Sequence, residues 1–141
     1  MSSVELDAMA DSIQDLSTRI PATTTEIAAV AEAAGQLGIA KNDILGFAEV
    51  MVNLGVATNL SAEEAASSLA KFANVVGMSS ANYERLGSTI VALGNNFATT
   101  ESDIVSMSTR LASAGTIIGL TEPQIMAIST ALSSVGIEAE A

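Results

Sequence analysis

Helix-opening caps and helix-closing glycines recur about every twenty residues along this chain. Openings stand at Thr23–Glu26, Ser61–Glu64, Ser80, Thr100–Asp103 and Thr121–Gln124, with a weaker one at Ala40–Asp43. A Ser or Thr hydroxyl there accepts an orphan N–H of the first turn, and an acid or amide three residues on reaches back to the cap. Closings stand at Gly38, Gly55, Gly77, Gly94, Gly119 and Gly136, glycine being the residue that ends a helix in the left-handed conformation at least cost. As one helix the 141 residues would run about 210 Å at ~1.5 Å per residue. This punctuation forbids such a rod and predicts short helices that stack.

The segments between the marks carry apolar residues at steps of three and four, the helical period. Leu6, Met9, Ile13, Leu16 and Ile20 form one face, closed by Pro21, which disfavours helix in the residue before it. A second helix is predicted over Thr24 to Leu37, with Ala28, Ala31 and Ala34 beside Ile27 and Leu37. A third runs over Lys41 to Leu54 and turns Ile44, Phe47, Ala48, Met51 and Leu54 inward. The fourth follows Ser61 with Ala65, Leu69, Phe72, Val75 and Val76; the fifth follows Ser79 and Ser80 with Tyr83, Leu86, Ile90 and Leu93. The sixth uses Ile104, Met107, Leu111 and Ala114 and reaches toward Ile118. The seventh, from Thr121 with Pro123 in its first turn, uses Ile125, Ile128, Leu132 and Val135. No segment has strand character. The expected fold is all-α: six to seven short helices in stacked αα-hairpins, one helical domain over residues 1–141. Two arrangements fit, a compact bundle or a short solenoid-like array of about 40 residues per pair. The repeat is visible in the punctuation rather than in the residues between.

Composition removes whole classes of function. The chain has no Cys and no His, so disulfides, thiolate chemistry and the commonest general base and metal ligand are missing. Sixteen acids oppose five bases for a net charge of −11. Arg19, Lys41, Lys71, Arg85 and Arg110 are scattered, so direct nucleic-acid binding is not expected. Mean hydropathy is high, at +0.45, yet every apolar run is interrupted by Ser, Thr, Asn or a charge, short of the roughly 18 residues a span requires. Membrane contact has no support in this segment. Met1-Ser2-Ser3 reads as a cloned start rather than a signal peptide, and the chain stops soon after Gly136, so a piece of a longer protein is expected.

Each motif with chemical interest has a plainer structural reading. Glu63 and Glu64 are adjacent on a helix and do not face each other; the pair reads as a capping box. Glu101 and Asp103 bracket a helix start and oppose its dipole. Asn42–Asp43 and Asn95–Asn96 offer oxygens, but calcium-loop spacing is missing. The glycines follow no strand and include no Gly-Lys-Ser/Thr phosphate loop. The six methionines read as core filling. Ser and Thr have no neighbouring base that would make a nucleophile. No catalytic, cofactor-binding or metal-ligating residue is nominated, no cofactor is expected, and the chain is read as not an enzyme.

Four stretches carry a family resemblance. The first is Ser17-Thr18-Arg19-Ile20-Pro21 with Gly35-Gln36-Leu37-Gly38-Ile39. The second is Phe47 through Leu54, Gly55-Val56-Ala57-Thr58-Asn59-Leu60 and Ser61-Ala62-Glu63-Glu64-Ala65-Ala66. The third is Ile90-Val91-Ala92-Leu93-Gly94-Asn95-Asn96-Phe97-Ala98-Thr99-Thr100-Glu101 on to Leu111-Ala112-Ser113-Ala114-Gly115. The last is Leu120-Thr121-Glu122 and Leu132-Ser133-Ser134-Val135-Gly136-Ile137-Glu138-Ala139-Glu140. Together these resemble the shared core region of the phage tail tape measure protein family of long-tailed phages and prophages.

The resemblance implies a virion protein of the tail lumen, present in the host cytoplasm during assembly. Its roles would be tail length determination, tail tube assembly and genome ejection. The implied partners are tail tube and tail tip proteins and tail assembly chaperones. No functional residue is carried over, because the shared motif is structural. The punctuation adds that this piece is globular and that any measuring rod lies outside it. Two other readings remain: a generic acidic α-helical interaction module and a membrane-inserting helical domain. Exposed ends of an array would favour self-association, without naming interface residues.

Overall fold

The structure, a computed structural model, describes residues 2–139. It contains seven α-helices among those residues: α1 (Ser3–Ser17), α2 (Thr24–Gln36), α3 (Ile44–Ala57), α4 (Ala62–Val76), α5 (Tyr83–Asn96), α6 (Glu101–Ile117) and α7 (Glu122–Ser134). Caps explain where most of them begin. Thr23 accepts from the Glu26 N–H at 3.2 Å while Glu26 accepts from the Thr23 N–H at 2.8 Å. Ser61 and Glu64 repeat this reciprocal pair, and the Gln124 side chain accepts from the Thr121 N–H at 2.8 Å. At α6 the Thr100 hydroxyl accepts from the Asp103 N–H at 3.2 Å. Ser2 and Glu5 form a further box at the start of α1. The sequence carries that Ser-x-x-Glu signal, which the reading of Met1-Ser2-Ser3 as a cloned start passes over; Met1 lies outside the described residues.

Two openings, the weaker one at Ala40–Asp43 and that at Ser80, differ from expectation. Ala40–Asp43 and Ser80 each lead into a 3-10 turn, Lys41–Asp43 and Ser80–Asn82, and the α-helices begin only at Ile44 and Tyr83. Neither Ala40 nor Ser79 makes a side-chain cap, so a backbone turn from Asp43 N–H to Ala40 C=O, and from Asn82 N–H to Ser79 C=O, takes its place. The closings divide into two kinds. Gly38, Gly77, Gly119 and Gly136 have φ between 66° and 89°, and the next residue's N–H bonds back to Ala34, Ala73, Gly115 and Leu132 respectively, the pattern that satisfies helix-end carbonyls. Gly55 and Gly94 do not close their helices. α3 and α5 continue to Ala57 and Asn96, and both glycines mark close approach instead: a Cβ at Gly55 would lie 3.0 Å from the Ala62 backbone nitrogen, and one at Gly94 2.5 Å from Glu101. α1 stops at Ser17, before Pro21, where the Ser17 and Thr18 hydroxyls donate to the Gln14 and Asp15 carbonyls and compete with continuation of the ladder.

The helices pack as an array. α2, α4 and α6 form one row, α2 against α4 and α4 against α6; α1, α3, α5 and α7 form the other, each against the next. The rows join through α1·α2, α2·α3, α3·α4, α5·α6 and α6·α7. The main contacts therefore link elements no more than two apart in order, as in stacked-hairpin proteins. The repeat lies in the residues as well as in the punctuation. Met9, Phe47, Leu86 and Ile128 occupy one register position on α1, α3, α5 and α7; Ile13, Met51, Ile90 and Leu132 occupy a second; Leu16, Leu54, Leu93 and Val135 a third. The intervals between successive helices are 38, 39 and 42 residues (Met9 to Phe47 to Leu86 to Ile128). The longer last interval falls in α6, 17 residues against 15 in α4.

One hydrophobic cluster runs through both rows, from Ile13 and Leu16 to Ile125 and Met126. Phe47 and Tyr83 meet edge to face within it, ring centroids 5.1 Å apart, a favoured aromatic geometry. Alanines fill much of the α2–α4 contact: Ala31, Ala34, Ala65, Ala66, Ala70 and Ala73 are buried. Several residues expected inward are not. Ala28, Val75 and Ala114 are exposed, and Leu6 is 54% exposed because no described helix packs on the outer side of α1.

Candidate functional site

Several acidic residues are held by their own helix starts. Glu64 belongs to its capping box, and hydrogen bonds from the Ser61 backbone, then its hydroxyl, hold the Glu64 carboxyl below its ordinary range; Glu63 is exposed beside it. Glu26 is lowered in the same way by Thr23. Glu5 falls to about 2, first through the hydrogen bond from Lys41, then that from the Ser2 backbone, with the Lys41 charge adding to both. That Lys41–Glu5 ion pair ties the start of α1 to the turn before α3. The Asp103 carboxylate accepts from the Thr100 hydroxyl at 2.7 Å, and Glu101 leans over Gly94. Asn96 donates to the Ala92 carbonyl at 2.7 Å. Among the described residues, no three His, Cys, Asp or Glu side chains converge as metal ligands.

Shallow grooves lie between successive helices of the odd-numbered row. One, between α3 and α5, is lined by Asp43, Glu49, Asn53 and Glu84. Burial, and then the nearby Asp43 charge, push the Tyr83 phenol above its usual value there. Another, about 190 Å³, lies between α5 and α7 beside Arg85, Leu86, Glu122 and Met126; the α3–α5 groove is larger, about 560 Å³. Met78 and Met126 line the α5–α7 groove, and the other described methionines lie elsewhere. Met51, Met107 and Met126 are buried and Met9 and Met78 half-buried, which is packing use. Ser108 is buried with no partner for its hydroxyl. It sits where Ile27 and Ala66 stand in the preceding even-numbered helices, so it reads as a misfit core position.

The feature that the sequence reading assigned to the core is the outer face of α7. Ile125 is buried as expected, but Ile128 is 43% and Val135 75% exposed, and Leu132 is only half-buried. α7 instead turns Met126, Ser129 and Thr130 inward beside Ile125. The two hydroxyls donate to the Ile125 and Met126 carbonyls at 2.8 Å, which satisfies them without a partner helix. Ile117 and Ile118 at the end of α6 are exposed too. Among the described residues no helix covers this face, and helical period alone could not separate it from a buried one. Among the described residues, no helix is long and apolar enough to cross a membrane.

The arrangement offers interaction surface rather than assembled chemistry. Neither a search of curated proteins nor one of solved structures found a significant match. A family model described as phage-related minor tail protein matches residues 10–141. That match spans α2 to α7 and the second half of α1, so the chain belongs to the phage-related minor tail protein family.

Proposed function

We propose that this chain is a structural and assembly domain of a tape measure protein, a piece of a much longer polypeptide. In this reading it sits in the tail lumen of the virion, takes part in tail length determination and tube assembly, and leaves with the genome at ejection. Tail tube and tip proteins and tail assembly chaperones are its partners. The observation that carries the reading is the family match over residues 10–141; the resemblance of the segments around Gly55-Val56-Ala57-Thr58-Asn59 and Gly94-Asn95-Asn96-Phe97 supports the tape measure assignment within it. No enzymatic step is assigned to the domain.

The folded array contributes little to a ruler. The same residues would account for about 210 Å of tail only as one continuous helix, and the capping boxes and left-handed glycines interrupt any such helix five times or more. The measuring segment is therefore placed elsewhere in the parent chain. An amber mutation in the parent gene of a phage carrying this domain tests the assignment by electron microscopy of the lysate. Tailless heads, or tail tubes of unregulated length, are expected. Normal tails of unchanged length in a non-suppressing host would overturn it.

A further inference from the structure

We propose that the groove between α3 and α5 is a binding site for an arginine side chain carried by a partner polypeptide. The internal repeat carries this. The α3–α5 and α5–α7 grooves are the same feature in successive units of the stack. In the register that aligns Phe47 with Leu86 and Leu86 with Ile128, Asp43, Gly46 and Val50 of the first groove match Asn82, Arg85 and Thr89 of the second, and Ser80, Ala81 and Glu84 match Glu122, Pro123 and Met126. The chemistry of the two differs. The first has carboxylates at Asp43, Glu49 and Glu84 where the corresponding positions are Asn82, Ser88 and Met126, and the Tyr83 phenol where the second unit has Ile125. The array is therefore built equally well without these acids. The second groove carries Arg85 where the first has Gly46. A Cβ at Gly46 would meet nothing within 4 Å, and the first groove is the larger, about 560 Å³ against about 190 Å³. One groove holds the acids and the space; the other holds the guanidinium.

Nothing within the chain neutralises this groove. Among the described residues, Asp43, Glu49 and Glu84 have no ion-pair partner. Tyr83 is 7% exposed and lines the groove, and its hydroxyl bonds to no described residue. Helix dipoles favour acids at helix starts and account for Asp43, at the N-cap of α3, and Glu84, in the first turn of α5. They do not account for Glu49, further along α3, or for the unpartnered phenol. The spread of the acceptors selects the cation. No three carboxylates converge as metal ligands among the described residues. A guanidinium distributes its charge over five N–H donors in one plane and can reach separated acceptors, whereas an ammonium is a compact point charge. Asp43 and Glu49 are half-buried, so bonds to them are charge-assisted and partly shielded from water. The groove is open, with Gly46 and Asn53 exposed along it, which suits a side chain on a peptide more than an enclosed small molecule.

Titration of the isotope-labelled full chain with N-acetylargininamide, followed by NMR, tests this independently of the tail assignment. N-acetylcitrullinamide, which keeps the shape and lacks the charge, is the control, and the lysine analogue is the competitor. Expected are saturable shifts at the amides of Gly46, Glu49, Tyr83 and Glu84, half complete between about 1 mM and about 50 mM, weaker with lysine and missing with citrulline. The double variant Glu49→Gln, Glu84→Gln should weaken binding at least about threefold. Tyr83→Phe, which keeps the ring against Phe47, should weaken it about two- to tenfold. Gly46→Arg, which places the side chain of the second groove in the first, should abolish it with the helical circular dichroism unchanged. The proposal is overturned by a chain that shows no saturable shift, by an equal response to citrulline or lysine, or by undiminished binding in the double variant.

Discussion

Two glycines inside helices show how one residue type serves opposite purposes. Gly46 in α3 is exposed, and a Cβ there would meet nothing within 4 Å. Gly115 in α6 is buried, and a Cβ there would lie 2.8 Å from Ile125 Cγ1 and 2.9 Å from its Cδ1. Gly46→Ala is therefore expected to raise stability by about 0.5–1 kcal/mol through helix propensity alone. Gly115→Ala should lower it by about 1–3 kcal/mol, because overpacking exceeds the propensity gain. Urea denaturation midpoints of the two variants check the pair; a stabilised Gly115→Ala would show that α6 and α7 can part at no cost. The sequence has no way to separate these glycines, since each stands in an apolar helical run. Ser108 makes the same point: its pattern is that of a core position, and only the packing reveals that its hydroxyl has no partner.

At the scale of the element, the helix starts were legible because caps are local chemistry. A hydroxyl and a carboxylate three residues apart meet without help from the rest of the molecule, and Thr23–Glu26, Ser61–Glu64 and Thr100–Asp103 do so. The ends were legible only in part, since Gly55 and Gly94 answer to a neighbouring helix. Capping also sets a pH dependence. Glu5, Glu26 and Glu64 have folded-state pKa values below the ordinary 4.5, Glu5 at about 2. Their contribution is complete above the unfolded value and is lost as pH falls through the folded one. Thermal melts between pH 5 and 2 should show the wild-type melting temperature falling more steeply than that of the triple variant Glu5→Gln, Glu26→Gln, Glu64→Gln, in which the amide retains the box without the charge. Identical slopes would mean that the boxes are already broken in solution. The comparison is made against the variant because protonation also relieves repulsion among the sixteen acids, an effect of opposite sign that both proteins share.

The whole molecule behaves as a short one-dimensional stack, so its stability should vary along the chain. In such stacks each unit is held by its neighbours and the ends open first. α3 and α4 have neighbours on both sides, with Phe47, Met51, Leu69 and Phe72 fully buried. α1 buries only Ile13 and Leu16. Amide hydrogen exchange should be slowest in α3 and α4 and fastest in α1. Equal protection in α1 and α3 would show that the array opens as one unit. The Gly55 and Gly94 segments lie at equivalent corners, each admitting the first residues of the next helix.

What the amino acids determined by themselves is what short-range physics controls. Cap chemistry and the 3.6-residue period act within a few positions, and they specified the all-α class, the number of helices and most of their starts. The absence of His, Cys and a basic patch was equally plain. Tertiary structure decided which part of each apolar face is covered. Ile128, Leu132 and Val135 match Phe47, Met51 and Leu54 in type and register, and what distinguishes them is the presence or absence of another helix beyond. Burial is a property of the neighbour and not of the residue, so α7 carries the same apolar pattern as α3 and α5 while its exposure differs.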